Sequence, residues 1–372
     1  MVSRNTGRLT TISRRVYQSC LMDFRQVTFP ELYIFWKRTG KNCHTSWRGN
    51  EMKYLNTTVA VLSCSVAFAT SASAADCTIA LTMPTLNAPY FAAMDAAVID
   101  EATKLGCEVI TSDSQRDMLK QISDIEDYVA QGVDVLIVNA TDVEGIVPAV
   151  NNAVAAGVSV IALDTSLSMD ANYVTLINSP NVGNGKLVGH WLAKELGGEP
   201  ANIAILSGNK GNTGGEDRRM GVIWGLVEGQ LVNYGNATVN IVAQGWGGWS
   251  QEGGLTAMED LLTAHPEINV VYGENDSMVL GAHIAAKAAG RDDILLLAAA
   301  DGQREAYELI LEGEYGATGL NDPDVLARLA VRFGLEHSRG ELPADFPKHY
   351  VTEPAVISSD NIDEYYDPES VF

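Results

Sequence analysis

The feature that most constrains the fold is a regular alternation of short apolar runs with longer amphipathic segments. In the first part of the sequence, apolar runs predict strands at 79–83, 108–111, 133–139 and 158–163. The segments between them carry apolar residues three and four positions apart, which predicts helices over 90–105, 118–131 and 143–156. Strands that alternate with helices in this way form parallel sheets with helices on both faces.

The same alternation starts again in the second part of the sequence. The predicted strands there are 201–206, 240–243, 270–273 and 294–298. The predicted helices are 182–196, 217–231, 252–264, 277–289 and 303–312. Because no linker rich in Pro or Ser separates the two parts, we expect an α/β protein whose two similar doubly wound parallel-sheet lobes pack together. A charge-rich tail, 360–372, closes the sequence.

A secretory signal peptide is predicted at 52–74. Met52 and Lys53 form a basic start, an apolar run follows, and Ala72-Ser73-Ala74 supplies the small residues of a cleavage site. The apolar run is too short to cross a bilayer as a helix. We therefore expect an exported protein that begins at Ala75. Because a signal peptide works at an N-terminus, we interpret residues 1–51 as an upstream mis-start rather than as a basic tail for nucleic acid or membrane.

The charge balance argues against two classes of partner. Residues 1–51 contribute nine positive and three negative side chains, and Lys53 adds one positive charge, so the −22 of the whole sequence becomes −29 from residue 75 onward. Nucleic acids and anionic membrane surfaces are bound through basic patches. The sequence therefore predicts neither as a partner.

Two cysteines, Cys77 and Cys107, remain after the predicted cleavage, and each directly precedes a predicted strand. If those strands are parallel neighbours, both cysteines lie at the same sheet edge, and the geometry permits a disulfide in an oxidising compartment. Use of Cys77 as a lipid anchor is disfavoured because Asp76 precedes it.

Polar and aromatic side chains gather where the predicted strands end. In open α/β sheets, ligands bind at these carboxyl ends. The residues found there include 86–91, 139–142, 164–165, 208–215, 244–249, 274–276 and 300–302. Carboxylates and amides accept and donate hydrogen bonds to hydroxyls, and aromatic rings cover the C–H faces of a sugar. This set suits a neutral polyhydroxy ligand better than a phosphate, which requires cations or a glycine-rich loop.

Several of these stretches resemble the ribose-type periplasmic sugar-binding proteins, the type I solute-binding proteins of ABC sugar importers. The similar stretches are Thr85-Leu86-Asn87-Ala88-Pro89-Tyr90-Phe91, 101–106, 113–115, 137–142, 160–164, 261–266, 274–282 and 301–302. The resemblance implies two lobes, 75–179 plus 322–351 and 180–321 plus 352–372, that close on one monosaccharide. It places three hinge strands near Ser179, Asn321 and Thr352.

The resemblance also implies a set of ligand-binding residues. Tyr90 and Phe91 would stack on one face of the sugar, and Trp249 on the other. The hydrogen-bonding residues would be Asp164, Asn275, Asp301 and Asn321. Three further positions depart from the ribose pattern or align only loosely with it: Thr165, Glu216 and Arg218. Together with Pro84 and Ala88, these departures argue against ribose itself and favour a hexose, a deoxy sugar or an acyclic polyol.

Some of these residues have structural interpretations as well. Phe91 lies on an apolar helix face and could belong to the core. We predict that Asp276 caps the following helix while Asn275 reaches toward the ligand, and Asp301 could cap the helix near Gln303. Gly183-Asn184-Gly185-Lys186 is interpreted as packing at a helix start rather than as half of a dinucleotide fingerprint.

The predicted function is that of a solute-binding component of an ABC-type importer, with no cofactor or metal, working as a monomer with membrane permease subunits. An enzyme is a rival, since Asp164 and Asp301 could form a glycosidase pair, but no nucleophile elbow, HExxH or CxxC motif is present after the leader. A sugar-responsive regulator would carry a DNA-binding segment where the signal peptide stands. A receptor for a small signalling molecule, or a chemoreceptor partner, stays open.

Overall fold

A computed structural model describes residues 76–372, so the predicted signal peptide and the segment before it lie outside the described residues. The first sheet contains β1 (Thr78–Met83), β2 (Glu108–Asp113), β3 (Val135–Val138), β4 (Ser159–Leu163), β5 (Leu176–Asn178) and β11 (His349–Val351). Their order across the sheet is β11-β5-β4-β3-β1-β2, and every neighbouring pair is parallel. The helices of this N-terminal lobe are α1 (Pro89–Lys104), α2 (Met118–Gln131), α3 (Val147–Ala155) and α9 (Pro323–Ser338).

The second sheet repeats this architecture. It contains β6 (Ala201–Ser207), β7 (Val239–Trp246), β8 (Val270–Gly273), β9 (Leu295–Ala298), β10 (Ala317–Gly319) and β12 (Val356–Ser358). Their order is β12-β10-β9-β8-β6-β7, and only the β10–β12 pair is antiparallel. The helices of this C-terminal lobe are α4 (Asn181–Leu196), α5 (Thr213–Tyr234), α6 (Gln251–Ala264), α7 (Asp276–Ala288) and α8 (Arg304–Glu312), and a 3-10 turn follows at Ile362–Glu364.

Apolar strands between two layers of helices form the core of each lobe. All four residues of β3 and all four of β8 are buried, as expected for a parallel sheet covered on both faces. In the N-terminal lobe, one buried cluster lies between the sheet and the helices α1 and α9, and another lies against α2 and α3. This arrangement confirms the predicted two-lobed α/β fold.

The chain passes between the two sheets three times, after β5, after β10 and after β11. The crossings lie side by side. Ser179 Oγ donates to the carbonyl oxygen of Leu320 at 3.0 Å, and Thr352 N–H donates to the carbonyl oxygen of Asn178 at 3.2 Å. Asn184 joins them, because its Nδ2 donates to Leu320 O and its Oδ1 accepts from Ala355 N–H.

Most predicted elements agree with the structure to within a few residues, and two differ for a physical reason. The helix predicted from residue 143 begins at Val147, because the Asp142 carboxylate accepts the N–H groups of Glu144 and Gly145 and forms a turn there. The stretch 244–246, predicted to follow a strand that ends at residue 243, continues β7, where it pairs with β6.

Cys77 and Cys107 form a disulfide bond, with their Cα atoms 4.7 Å apart. They lie at the same end of the parallel neighbours β1 and β2, where the N–H of Glu108 also donates to the carbonyl oxygen of Cys77. The bond therefore joins the edge strand of the first sheet to its neighbour. Across residues 76–372, no helix combines the length and the apolar character needed to cross a membrane.

Candidate ligand-binding site

A connected group of polar side chains joins the carboxyl edges of the two sheets. Tyr90, in the first turn of α1, and Asp164, directly after β4, supply its N-terminal half. The Tyr90 hydroxyl lies 3.0 Å from Asp164 Oδ1 and 3.1 Å from Asn321 Oδ1. Because one hydroxyl hydrogen serves two acceptors, one of these oxygens is always available to another donor.

Asn139, at the end of β3, completes the N-terminal half of the site. Its Nδ2 donates to Asp164 Oδ2 at 3.3 Å. Gln121 of α2 fixes the backbone there, since its Nε2 donates to the carbonyl oxygen of Asn139 and its Oε1 accepts from Thr141 N–H. The sequence predicts Asn139 at a strand end but gives no further reason to assign it to the site. That position at the carboxyl end of a buried strand was the available signal.

The C-terminal half of the site is built on Asp301, which follows β9 and is 5% exposed. Its Oδ1 accepts from Asn321 Nδ2 at 3.1 Å and forms an ion pair with Arg218 Nη1 at 3.3 Å. Two further hydrogen bonds fix Arg218: its Nε donates to Asn181 Oδ1, and its Nη1 donates to the carbonyl oxygen of Glu274. The guanidinium is thereby fixed in one orientation.

Close packing of α4 against α5 places Arg218. A Cβ at Gly185 of α4 would lie 2.5 Å from the carbonyl oxygen of Arg218, and one at Gly221 of α5 would collide with the carbonyl of Val182. Only glycines let the two backbones approach this closely. Gly183 and Gly185 therefore lie within α4 as packing residues, in agreement with the structural interpretation of that stretch.

The prediction that Asp276 caps α7 is wrong. Asn275 is the N-cap of α7, where its Oδ1 accepts from Met278 N–H, and its Nδ2 donates to the carbonyl oxygen of Trp249. Asp276 is fully buried, and its Oδ2 accepts from the N–H groups of residues 301, 302 and 303 while its Oδ1 accepts from Tyr315. Asp276 thus fixes the loop that carries Asp301. Asp301 itself does not cap α8, whose N-cap Gln303 makes no side-chain cap bond.

Trp249 lies across the C-terminal half of the site. Its ring packs on Gly208, where a Cβ would collide with the indole, and also lies next to Gly215. The ring centroid lies 5.8 Å from the Arg218 guanidinium carbon. Beneath it, the buried carboxylate of Glu274 accepts from Gly208 N–H and pairs with Arg219. Trp249 has a φ of 66°, and Asp164 has a φ of 63°. Such left-handed conformations in non-glycine residues are concentrated at functional sites.

Three other predicted residues have weaker connections to this group. Phe91 is half-buried beside Tyr90, at 5.5 Å between ring centroids, and also packs against the core of its lobe. Thr165 follows Asp164 and contributes a hydrogen bond to its carboxylate. Glu216 is exposed in the first turn of α5, so the structure does not bring it into the connected group.

Burial dominates the electrostatics of the site. It raises the pKa of Asp301 to about 6, with Arg218 opposing the shift and Asp276 adding to it. Burial also raises the pKa of Asp164, against the effects of Arg218 and of the hydrogen bonds from Tyr90 and Asn139. The Tyr90 hydroxyl has a pKa raised well above its usual range, first by burial and then by the charges of Asp164 and Asp301. These groups therefore favour donors from a neutral ligand over further negative charge.

The chain is similar to known proteins over the region that contains this site. Residues 79–342 match the family described as periplasmic binding protein domain. The ribose import binding protein RbsB of Bacillus subtilis is 35% identical over 253 residues, which cover 68% of this chain and 79% of that protein. Its namesake in Escherichia coli is 31% identical over 297 residues, covering 80% of this chain and 96% of that protein.

Solved structures of solute-binding proteins are also similar to this chain. A periplasmic solute-binding protein of an ABC transporter from Actinobacillus succinogenes, solved with bound D-allose, superposes with a TM-score of 0.70 at 26% identity, covering 77% of this chain and 99% of that chain. A myo-inositol-binding protein from Caulobacter, bound to myo-inositol, gives a TM-score of 0.68 at 28% identity, covering 77% and 95%.

Proposed function

We propose that this chain, which belongs to the periplasmic binding protein family, is the solute-binding component of an ABC-type importer and binds one neutral monosaccharide or sugar alcohol. Relatives named for ribose import and solved structures with D-allose and myo-inositol support this class of ligand. All three compounds are small, neutral and rich in hydroxyl groups.

The connected polar group between the two lobes is the observation that carries the proposal. It presents two carboxylates, the half-buried Asp164 and the buried Asp301, that are linked through Tyr90 and Asn321. A ligand with hydroxyls on opposite sides of one ring can donate to both carboxylates at once. Tyr90 and Trp249 supply aromatic faces from the two lobes, and Phe91 extends the first of them.

Closure of the lobes on the ligand is the mechanism that we propose. The lobes are 75–179 plus 322–351 and 180–321 plus 352–372, and they move about the three crossings. A ligand that touches both lobes binds the closed state more tightly than the open state and shifts the population toward it. Scattering profiles recorded with and without a bound sugar will differ if this is correct, and identical profiles would refute closure.

The closed form is the species that we expect the membrane permease to recognise. We propose that the protein acts there as a monomer in the periplasm, after removal of residues 52–74 as a signal peptide. Docking of the same closed form on a chemoreceptor is a second role for that surface. Mass spectrometry of the exported protein tests the cleavage site after Ala74.

A thermal-shift screen tests the proposed function directly. The purified protein is unfolded and refolded to remove bound ligand, and is then melted with pentoses, hexoses, deoxy sugars, tetritols to hexitols, sugar acids and amino acids. A ligand present at about 100 times its Kd stabilises the folded state by about 2.7 kcal/mol. We expect a clear rise in Tm with one neutral sugar or polyol. A rise only with charged compounds, or none in the neutral panel, would contradict the proposal.

A further inference from the structure

The last residues of the sequence return to the ligand site. After the 3-10 turn, Tyr365 and Tyr366 pack against the core of the C-terminal lobe. The chain then continues to Phe372, whose ring lies 5.7 Å from the Tyr90 ring between centroids, at an interplanar angle of 73°. This is an edge-to-face contact between a residue at the end of the C-terminal lobe and a site residue of the N-terminal lobe.

The segment Asp367–Phe372, called here the C-terminal strap, is anchored next to the site. Arg304 Nη1 donates to the carbonyl oxygen of Ser370 at 2.7 Å. Arg304 is the first residue of α8 and lies three positions after Asp301, so the anchor and the site share one loop. Within the strap, Ser370 N–H donates to the carbonyl oxygen of Asp367, and Ser370 Oγ accepts from Phe372 N–H at 3.3 Å.

We propose that the C-terminal strap is part of the ligand site, with Phe372 as a specificity-determining ring that also holds the two lobes together. Phe372 is half-buried, so part of its surface is still exposed beside Tyr90. Because Arg304 holds the strap on the C-terminal lobe and Tyr90 belongs to the other lobe, the contact exists only while the lobes are near each other. The strap therefore favours the closed state, and its contact with the ligand rests on the proposed function.

The interlobe part of this proposal is testable without any ligand. Nitroxide labels are placed on the full chain at Leu119→Cys in α2 and Met220→Cys in α5, which are 69% and 62% exposed. The cysteines outside the disulfide, Cys20, Cys43 and Cys64, are replaced by serine. Double electron–electron resonance then reports the distance between the lobes.

We expect Phe372→Ala to shift the distance distribution toward longer separations. Val371→Ala is the matched control, because the side chain of Val371 is 81% exposed in the same segment, and we expect its distribution to match that of the unsubstituted chain. Arg304→Ala removes the anchor while keeping the ring, and Phe372→Leu keeps apolar volume while removing the ring; both are expected to shift the distances as Phe372→Ala does. Unchanged distances in all three strap variants would overturn the proposal.

The ligand part uses melting curves of the same chains with D-ribose, D-allose and myo-inositol at graded concentrations. One aromatic contact corresponds to about a fivefold change in affinity, so we expect Phe372→Ala to weaken binding by about fivefold and Val371→Ala to leave it unchanged. If the unsubstituted chain responds and Phe372→Ala binds equally well, the strap proposal is wrong and the proposed function stands. If the unsubstituted chain responds to no compound here or in the wider neutral panel, the proposed function fails, and the distance measurement alone decides whether the strap joins the lobes.

Discussion

The two halves of the site hold their carboxylates in different ways. In the C-terminal lobe, Asp301 faces the guanidinium of Arg218, and the buried carboxylate of Asp276 fixes the backbone on which Asp301 stands. In the N-terminal lobe, the hydrogen-bond donors found for Asp164 are hydroxyl groups from Tyr90 and Thr165 and an amide from Asn139. Asp301 is therefore paired with a cationic side chain, whereas Asp164 is hydrogen-bonded by uncharged donors.

This difference separates a fixed half from an adaptable half. Asp164 receives its hydrogen bonds from uncharged donors, whereas Asp301 is paired with a buried cation that would otherwise lack compensation, so the partners of Asp164 can be exchanged for ligand hydroxyls at lower cost than those of Asp301. The Tyr90 hydroxyl is the exchangeable link, since it already shares its hydrogen between Asp164 and Asn321. We infer that the C-terminal half orients the ligand and that the N-terminal half rearranges when the lobes close.

The largest effect is expected for Asp276→Ala, which removes the support of the fixed half. The substitution leaves three backbone N–H groups and the Tyr315 hydroxyl without their acceptor inside the protein. We expect the free energy of unfolding to fall by about 4 kcal/mol, since each buried unsatisfied donor costs about 1 kcal/mol or more. Urea denaturation measures this loss.

Asp360→Ala, at an exposed ion pair with Lys194, is the control and is expected to change stability by less than about 0.5 kcal/mol. A loss of less than about 1 kcal/mol in Asp276→Ala would show that the fixed half does not depend on this carboxylate.

A smaller difference is expected when the two site carboxylates are neutralised separately. Asp301→Asn leaves the buried Arg218 without its ionic partner and should weaken sugar binding by about 3 kcal/mol. Asp164→Asn removes the charge and turns one of the two accepting oxygens into a donor, but leaves no buried cation unpaired, and should cost about 1 kcal/mol. Calorimetric titration with the sugar identified by thermal shift gives both values. Equal losses would remove the distinction between a fixed and an adaptable half.

Most helices and strands could be predicted from the sequence because the spacing of apolar residues within each of them is a local signal. In contrast, β5, β10, β11 and β12 contain three residues each, which is too short for such a spacing to be recognised. The hinge positions came instead from the resemblance to a known family. Pairing of Cys77 with Cys107 depended on which strands are neighbours, which the structure supplied.

The site was predictable in composition but not in detail. Adjacent polar residues after a strand, such as Asn275 and Asp276, both suit an N-cap, and a shift of one residue decides which one points into the lobe. Gln121 and Phe372 act on the site from distant parts of the chain, where a pattern in the sequence gives no indication of contact. Tyr90, Asp164, Asp301 and Asn321, in contrast, were placed in the site from strand ends and resemblance, and they lie together in the structure.

The pH dependence provides the next comparison, because the raised pKa of Asp301 acts in opposite directions on binding and on folding. Below about pH 6 the Asp301 carboxyl of the folded protein becomes protonated, so we expect affinity for a hydroxyl-donating sugar to fall by up to about tenfold per pH unit. Between about pH 4 and 6 the folded state binds more protons than the unfolded chain, so this group makes folding less favourable as pH rises through that window.

Calorimetry and urea denaturation from about pH 4 to 8 measure the two trends, and Asp301→Asn is the control that should remove this residue's contribution to both. Burial also raises the pKa of Asp164. If affinity or stability still changes with pH in Asp301→Asn but no longer does so in the double variant with Asp164→Asn, the remaining pH dependence comes from Asp164 in the adaptable half. Affinity that stays constant down to pH 5 would mean that the ligand does not depend on an ionised Asp301.

The smallest effect is expected at the aromatic wall of the fixed half. Trp249→Ala removes a ring that packs on Gly208 and Gly215 beside Arg218, and should weaken sugar binding by about 1 kcal/mol. Trp246, three residues earlier at the end of β7, is 46% exposed, so Trp246→Ala is a matched control that should leave affinity unchanged. If the control loses affinity and Trp249→Ala does not, the ligand lies against the edge of the second sheet, and the fixed half extends along β7 rather than under Arg218.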